Sequence, residues 1–274
     1  MGGIVDPGRF HRLGVAVRQR DGDVSEWFTR VLGAEVAYSS EEPGDEHVTT
    51  MLRIGSSPLA VFAAPGTTGS IGRYVERYGP GLHSLAWRVR DLWATENLLR
   101  QRGVTITGTN VAARHFFMHP KETFGMLIEW TDQRVDEEDP GPVAVPDGAA
   151  LGIAWVTAVV RDVGLARSFL EEVAGGAVRA GLPAGPPGQE DTVDLAVGDM
   201  VVRLVSPRSA ESRYAGFLDE VGERLHSMTL LVGDLGTAVD RLAAAGVPVL
   251  GRDEGRVFTD PRATLGLRME WVGS

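Results

Sequence analysis

The chain has 274 residues, 43% of them apolar and 23% charged, which is enough for two ordinary domains with sizeable cores. A net charge of −10 without a basic stripe excludes nucleic acid as a partner, and no apolar run approaches the roughly eighteen residues of a membrane span. With no cysteine there are no disulfides, thiolate metal sites or cysteine nucleophiles; that and the lack of a secretory signal at the N-terminus fit a cytoplasmic protein.

The first strand reads Phe10 to Val17, with His11, Leu13, Val15 and Val17 on one face. A capping-box pattern from Asp23 to Glu26 opens a helix carrying Val24, Trp27, Phe28, Val31 and Leu32, which stops at Gly33. Strands follow at Val48 to Ile54 and Leu59 to Ala63, with a poorly marked one near Glu35 to Ser39. This is a β-α-β-β-β unit. A second unit starts after the Gly79-Pro80-Gly81 turn, where His83, Leu85, Trp87 and Val89 share a strand face. Its helix runs from Leu92 to Arg102, and its strands are Val104 to Thr107, Phe116 to Met118 and Met126 to Trp130. Residues 132–149 are acidic and proline-rich and read as a linker.

The second half repeats the first. The segment from Phe258 to Trp271 aligns without a gap on that from Phe117 to Trp130, and Leu225-His226-Ser227 aligns on Leu82-His83-Ser84. The expected organisation is an α+β protein of four βαβββ modules paired into two domains, 1–131 and 150–274, around the 132–149 linker.

Three residues of the first half attract chemistry. His11 and His83 head the first strands of successive units, and Glu129 lies on the last strand between Ile128 and Trp130. A carboxylate in such surroundings must be paired or coordinated. Two imidazoles and a carboxylate would form a facial triad with open coordination positions. The other reading is that Glu129 pairs with an arginine and both histidines are incidental. Glu46, with His47 as its rival, is a candidate for proton transfer, against the alternative of a solvated loop residue. His115 could touch substrate, and His119 reads as a turn residue.

Over nearly the whole chain outside the linker, the modules and these residues resemble the vicinal-oxygen-chelate superfamily of glyoxalases, methylmalonyl-CoA epimerases, extradiol dioxygenases, fosfomycin-resistance enzymes and bleomycin-binding proteins. The local likeness to methylmalonyl-CoA epimerases runs over 70–131, through Gly79-Pro-Gly-Leu-His83 and His119-Pro-Lys-Glu-Thr-Phe-Gly-Met-Leu-Ile-Glu129. The resemblance implies cupped mixed sheets and one divalent metal (Fe2+, Co2+, Mn2+, Ni2+ or Zn2+) held by His11, His83 and Glu129. It implies Glu46 as the acid–base residue. A fourth ligand of the epimerases and glyoxalases would fall at Val61, which cannot bind metal.

The implied activity is epimerase-, isomerase- or lyase-type proton transfer on a small oxygen-chelating substrate through a metal-stabilised enolate. The alternatives are an Fe(II) extradiol-type dioxygenase and a small-molecule-binding resistance protein without catalysis. The expected partner is a small-molecule substrate, with no nucleic acid and no membrane, and a homodimer stays open. In the second half, the equivalents of residues 11, 61, 83 and 129 are Ala154, Arg203, His226 and Glu270. A metal-free domain with an Arg203–Glu270 ion pair is expected there.

Overall fold

The computed structural model describes residues 3–19, 24–42, 45–133, 145–183, 188–253 and 255–274. The Asp23 end of the expected capping box and most of the expected linker lie outside these residues. The first module comprises β1 (Phe10–Arg18), α1 (Val24–Leu32), β2 (Glu35–Glu42), β3 (His47–Ile54) and β4 (Ser57–Ala64). Helix α2 (Gly69–Tyr78) leads into β5 (Gly81–Arg88), α3 (Leu92–Gln101), β6 (Ile106–Asn110), β7 (His115–Met118) and β8 (Leu127–Thr131). The third module is β9 (Ala150–Val159), α4 (Val163–Ala174), β10 (Ala177–Val178), β11 (Glu190–Val197) and β12 (Met200–Pro207). After α5 (Ala215–Val221) come β13 (Arg224–Val232), α6 (Leu235–Ala244), β14 (Val249–Asp253), β15 (Arg256–Thr259) and β16 (Met269–Gly273).

The strands form two eight-stranded mixed sheets, ordered β2-β3-β4-β1-β5-β8-β7-β6 and β10-β11-β12-β9-β13-β16-β15-β14. The two orders are the same, as the sequence duplication requires. Within each module the first strand pairs in parallel with the last, as β1 with β4 and β5 with β8, and the others pair antiparallel. The α+β architecture of four βαβββ modules is therefore present.

Local sequence explains the elements. Helices α3, α4 and α6 each start behind an aspartate whose side chain accepts a backbone N–H: Asp91 from Ala94 at 2.9 Å, Asp162 from Leu165 at 2.9 Å, and Asp234 from Thr237 at 2.7 Å. Helix α1 buries Phe28, Val31 and Leu32, spaced at i, i+3 and i+4. Strand β2 is weakly marked in the sequence because its pairing with β3 slips between Val36 and Tyr38, which breaks the two-residue period, and both side chains are exposed at a sheet edge. The core is dominated by buried residues, including Leu13, Val15 and Val17 on β1 and four tryptophans, Trp87, Trp130, Trp155 and Trp271.

By contacts the chain forms two compact units, each drawing on both sequence halves. One gathers the described residues within Met1–Arg12, Ser84–Asp139 and Trp155–Leu225, the other those within Leu13–His83, Pro140–Ala154 and His226–Ser274. In the first, Trp87 Nε1 donates to the Val197 carbonyl at 2.9 Å and Val5 N donates to Val173 O at 2.9 Å. In the second, Arg241 Nε donates to Val31 O at 3.0 Å and Ile153 N to Ser57 Oγ at 2.8 Å.

Gly125 shows how close the backbones of the first unit approach. A Cβ there would lie 1.7 Å from the Glu223 carbonyl oxygen, and φ is +77°. At Gly79, φ is a similar +76°, but nothing lies within 4 Å of such a Cβ. Gly79→Ala should therefore cost only the left-handed backbone, about 1–2 kcal/mol. Gly125→Ala should cost at least about 2 kcal/mol more, because backbone must move. Urea titrations of the two variants measure the difference, and equal losses would mean that the Gly125 approach is loose.

Candidate functional site

Strand register decides what surrounds Glu129. On β5 and β8, Ser84 pairs with Leu127, Ala86 with Glu129 and Arg88 with Thr131. On β7, Phe117 pairs with Glu129 and His115 with Thr131. Paired residues point to the same side, so Ser84, Ala86, Arg88, His115, Phe117, Leu127, Glu129 and Thr131 share one face. Ile128, Trp130, Leu85 and Trp87 fill the other face and are fully buried.

Glu129 is 1% exposed and its charge is met by arginine. Arg12 Nη2 donates to Glu129 Oε1 at 2.6 Å, from a side chain that is 13% exposed. His115 Nδ1 lies 3.7 Å from the same oxygen, and its side chain is 20% exposed. Burial pushes the His115 pKa below its ordinary value; the Glu129 charge pulls it back up in part, and Arg12 adds to the lowering. His115 is thus a neutral imidazole at pH 7, beside a carboxylate that is itself neutralised. The remaining side chains of the face, Phe117 and Leu127, are half-buried.

The expected metal set is not assembled. Arg12, not His11, meets Glu129, and the adjacent His11 turns to the opposite side with Leu13, Val15 and Val17. There, burial, Arg12 and Arg88 together depress the His11 pKa to about 3. His83 likewise precedes Ser84 and points away from the Glu129 side; its ring packs edge-on against Phe62 at 5.4 Å and Tyr74 at 4.9 Å. Among the described residues no three His, Asp or Glu side chains gather as they would around an ion. Each histidine is one residue out of phase with Glu129, and the in-phase positions carry Arg12 and Ser84. A guanidinium donates hydrogen bonds and repels a cation, so this donor set does not fit a divalent metal. Val61 pairs with Val15 and is buried on the His11 side of its strand pair, so it does not share the side of Arg12 and Glu129.

Glu46 is also placed differently from its expected role. It is exposed, sits in the turn before β3 with φ +52°, and accepts a hydrogen bond from Thr68 Oγ1. Its neighbours anchor the start of α2, where Asp45 accepts from Ser70 N at 2.5 Å. His47, the rival, stands 3.2 Å from Asp45 and packs its ring on Phe62 at 5.7 Å. His119 is a turn residue, its Nδ1 accepting from Lys121 N at 3.1 Å.

In the second half the expected Arg203–Glu270 pair is not formed. Arg203 bonds its direct cross-strand neighbour Asp194 twice, at 2.7 and 3.0 Å, and lies 4.6 Å over the Trp155 ring. Asp194 stands directly opposite Arg203 on the neighbouring strand, so its carboxylate is the one in reach of the guanidinium. Glu270 instead accepts from Ser227 Oγ at 2.9 Å and from Arg256 Nη1 at 3.5 Å. By the gap-free repeat alignment, Arg256 stands where His115 stands in the first half, and Ser227 where Ser84 stands. Both carboxylates are thus neutralised by a guanidinium, one reaching from β1 and the other from β15. Sequence reading missed Arg12 and Arg256. The signal was available: on a strand, a one-residue shift exchanges faces, and an arginine follows His11 directly.

Comparison with known proteins gives the following. The family model described as Glyoxalase/Bleomycin resistance protein/Dioxygenase superfamily matches residues 14–130 and 152–265. An ethylmalonyl-CoA/methylmalonyl-CoA epimerase of Cereibacter sphaeroides is 23% identical over 129 residues, covering 44% of this chain and 96% of that protein. Among solved structures, a mutant 4-hydroxymandelate synthase from Streptomyces coelicolor aligns with a TM-score of 0.72 and 19% identity, covering 97% of this chain and 92% of that one. BphC, a halotolerant catechol dioxygenase, aligns with a TM-score of 0.60 and 15% identity, covering 99% and 88%. At these identities the two structures share the fold alone. No helix among the described residues is long and apolar enough to cross a membrane.

Proposed function

Because the chain belongs to the Glyoxalase/Bleomycin resistance protein/Dioxygenase superfamily, we propose that it transfers a proton on a small carbonyl-containing acid or thioester, with His115 as the base. The observation that carries this reading is His115 Nδ1 at 3.7 Å from the buried Glu129 carboxylate, with Arg12 closing the constellation at 2.6 Å. A base must be free of its proton at working pH, and the lowered His115 pKa leaves the imidazole neutral. Glu129 on the Nδ1 side leaves Nε2 as the atom that takes the proton, and the carboxylate stabilises the imidazolium that forms. Arg12 holds the Glu129 carboxylate in place through its hydrogen bond. Phe117 and Leu127 on the same face limit water around the exchanging proton. No metal enters this scheme, because the residues in phase with Glu129 do not fit one. The similarity to an epimerase supports proton transfer as the reaction class.

The test is deuterium incorporation. Methylmalonyl-CoA and ethylmalonyl-CoA are incubated with the protein in D2O, and label at the carbon between the carbonyls is followed by mass spectrometry. Exchange above the uncatalysed rate is expected, and His115→Gln should lower it by about 10²-fold or more. Exchange that survives the substitution would remove His115 from the role. No exchange by the wild-type protein with either thioester would favour binding without chemistry.

A further inference from the structure

The His115 imidazole is aimed at Glu129 without a hydrogen bond to hold it there. Its Nδ1 lies 3.7 Å from the carboxylate, too far for one, and its ring leans on Phe117 at 5.0 Å. The direction of the ring therefore depends on the backbone that carries it. His115 is the first residue of β7, directly after the turn from β6, and the β6–β7 pairing is irregular between Thr107 and Asn110. The grip on the turn comes from the β8 side. Thr131, fully buried and opposite His115 in register, donates its hydroxyl to the Arg114 carbonyl at 2.8 Å and accepts from Gln133 N at 3.0 Å. Gln133 Nε2 donates to the Ala113 carbonyl at 2.7 Å. Arg114 itself donates from Nε to Asp132 Oδ1 at 2.8 Å and from Nη2 to Oδ2.

Arg114 takes φ +49°, in the left-handed region that a Cβ disfavours and glycine adopts freely. The second half makes the same turn without these groups. By the repeat alignment, Arg114 and His115 correspond to Gly255 and Arg256, and Thr131 and Asp132 to Val272 and Gly273. Strand register agrees, since Arg256 pairs with Val272 as His115 pairs with Thr131. Gly255 takes φ +77° there. The turn thus forms with glycine, valine and glycine at these places. The guanidinium, the hydroxyl and the carboxylate stand where the strand opens on histidine. Stability does not account for them, because the Arg114 side chain is 52% exposed and such ion pairs contribute little.

We propose that Thr131, Arg114 and Asp132 are positioning residues for His115. They lock the β6–β7 turn so that the imidazole keeps Nδ1 towards Glu129 and Nε2 towards the substrate. The inference rests on the proposed reading of His115 as the base, and it adds what holds that base in place. Misplacing a reacting group by about 1 Å can cost about 10²-fold in rate, and a ring with no hydrogen bond to Glu129 has that freedom unless its backbone is fixed.

Two readouts test this in the full chain, one with turnover and one without. Deuterium exchange into methylmalonyl-CoA and ethylmalonyl-CoA is measured for Thr131→Val, Thr131→Ser and Arg114→Gly, with thermal unfolding of each. Two of these substitutions install residues that the second half already carries, so the variants should fold. Arg114→Gly should unfold no earlier than the wild type, because it relieves the left-handed backbone. Its kcat should nevertheless fall by about 10-fold or more, as should that of Thr131→Val, with KM changed by less than about twofold. Thr131→Ser keeps the hydroxyl and should restore kcat to within about threefold of the wild type. Nitrogen-15 spectra of the histidines need no turnover, and His115 is identified by the signal missing from His115→Gln. The wild type should show one His115 tautomer, with its proton on Nδ1, and Thr131→Val and Arg114→Gly an average of two. Wild-type kcat in Arg114→Gly or Thr131→Val, a loss in Thr131→Ser equal to that in Thr131→Val, or a His115 signal unchanged by the substitutions would each overturn the proposal. No exchange by the wild type, with the tautomer released in the variants as described, would sink the proton-transfer reading and leave the positioning role standing. Exchange by the wild type that the variants leave untouched would do the reverse.

Discussion

Arg12→Ala is expected to lower the unfolding free energy by about 3–5 kcal/mol at pH 7, the range for a buried ion pair broken on one side. Glu129 is 1% exposed, and Arg12 is its one cationic hydrogen-bond partner among the described residues. His115 Nδ1, at 3.7 Å, is too far to replace the lost hydrogen bond. The loss comes from the stranded carboxylate more than from the missing arginine. Adding Glu129→Gln to the same chain should therefore recover much of it, giving a coupling of about 2 kcal/mol or more in a double-mutant cycle from urea titrations. The single variant should also regain stability as the pH falls, because its unpaired carboxylate can then take a proton. A coupling under about 0.5 kcal/mol would place the pair among solvated surface bridges.

The wild-type protein should behave in the opposite way in acid. His11 titrates at about 3 in the folded chain, against 6.5 for the ordinary group. Above pH 6.5 neither state holds the proton and the group contributes no pH dependence. Between pH 6.5 and 3 the unfolded chain binds a proton that the folded chain refuses, so stability falls as the pH falls. At about 1.4 kcal/mol per pH unit, the loss approaches 4 kcal/mol near pH 3. His11→Leu suits the apolar side shared with Leu13 and Val15 and should remove this slope. Midpoints of thermal unfolding measured from pH 7 down to pH 4 compare the two proteins. Parallel curves would show that His11 is solvated in the folded state.

Most of the architecture was legible in the sequence, because duplication repeats every strong signal. The gap-free match of Phe258–Trp271 to Phe117–Trp130 carried the tandem arrangement, and aspartates before α3, α4 and α6 marked the helix starts. Glu129 was legible as a residue needing a partner, since a carboxylate between Ile128 and Trp130 cannot be left alone. The partner was not. Histidine drew the eye as a metal ligand, yet a strand presents alternate residues to opposite sides, and being out by one residue exchanges Arg12 for His11 and Ser84 for His83. The reading in which Glu129 pairs with an arginine is the one that the geometry supports. Arg203 was misassigned for a related reason. Repeat alignment shows which positions are equivalent, but the partner of a charge is set by cross-strand register, and Asp194 stands directly opposite.

The way the compact units are drawn from the chain bears on how the protein comes into being. Each unit needs segments from both sequence halves, one of them joining residues before Arg12 to residues as far on as Leu225. A ribosome that has released only the first 131 residues has therefore delivered part of two cores and the whole of neither. Loops of that length must close before native packing rewards them, which makes assembly slow and leaves apolar strand faces open during synthesis. The duplication that makes the halves look self-sufficient on paper has produced a chain whose two copies mature together.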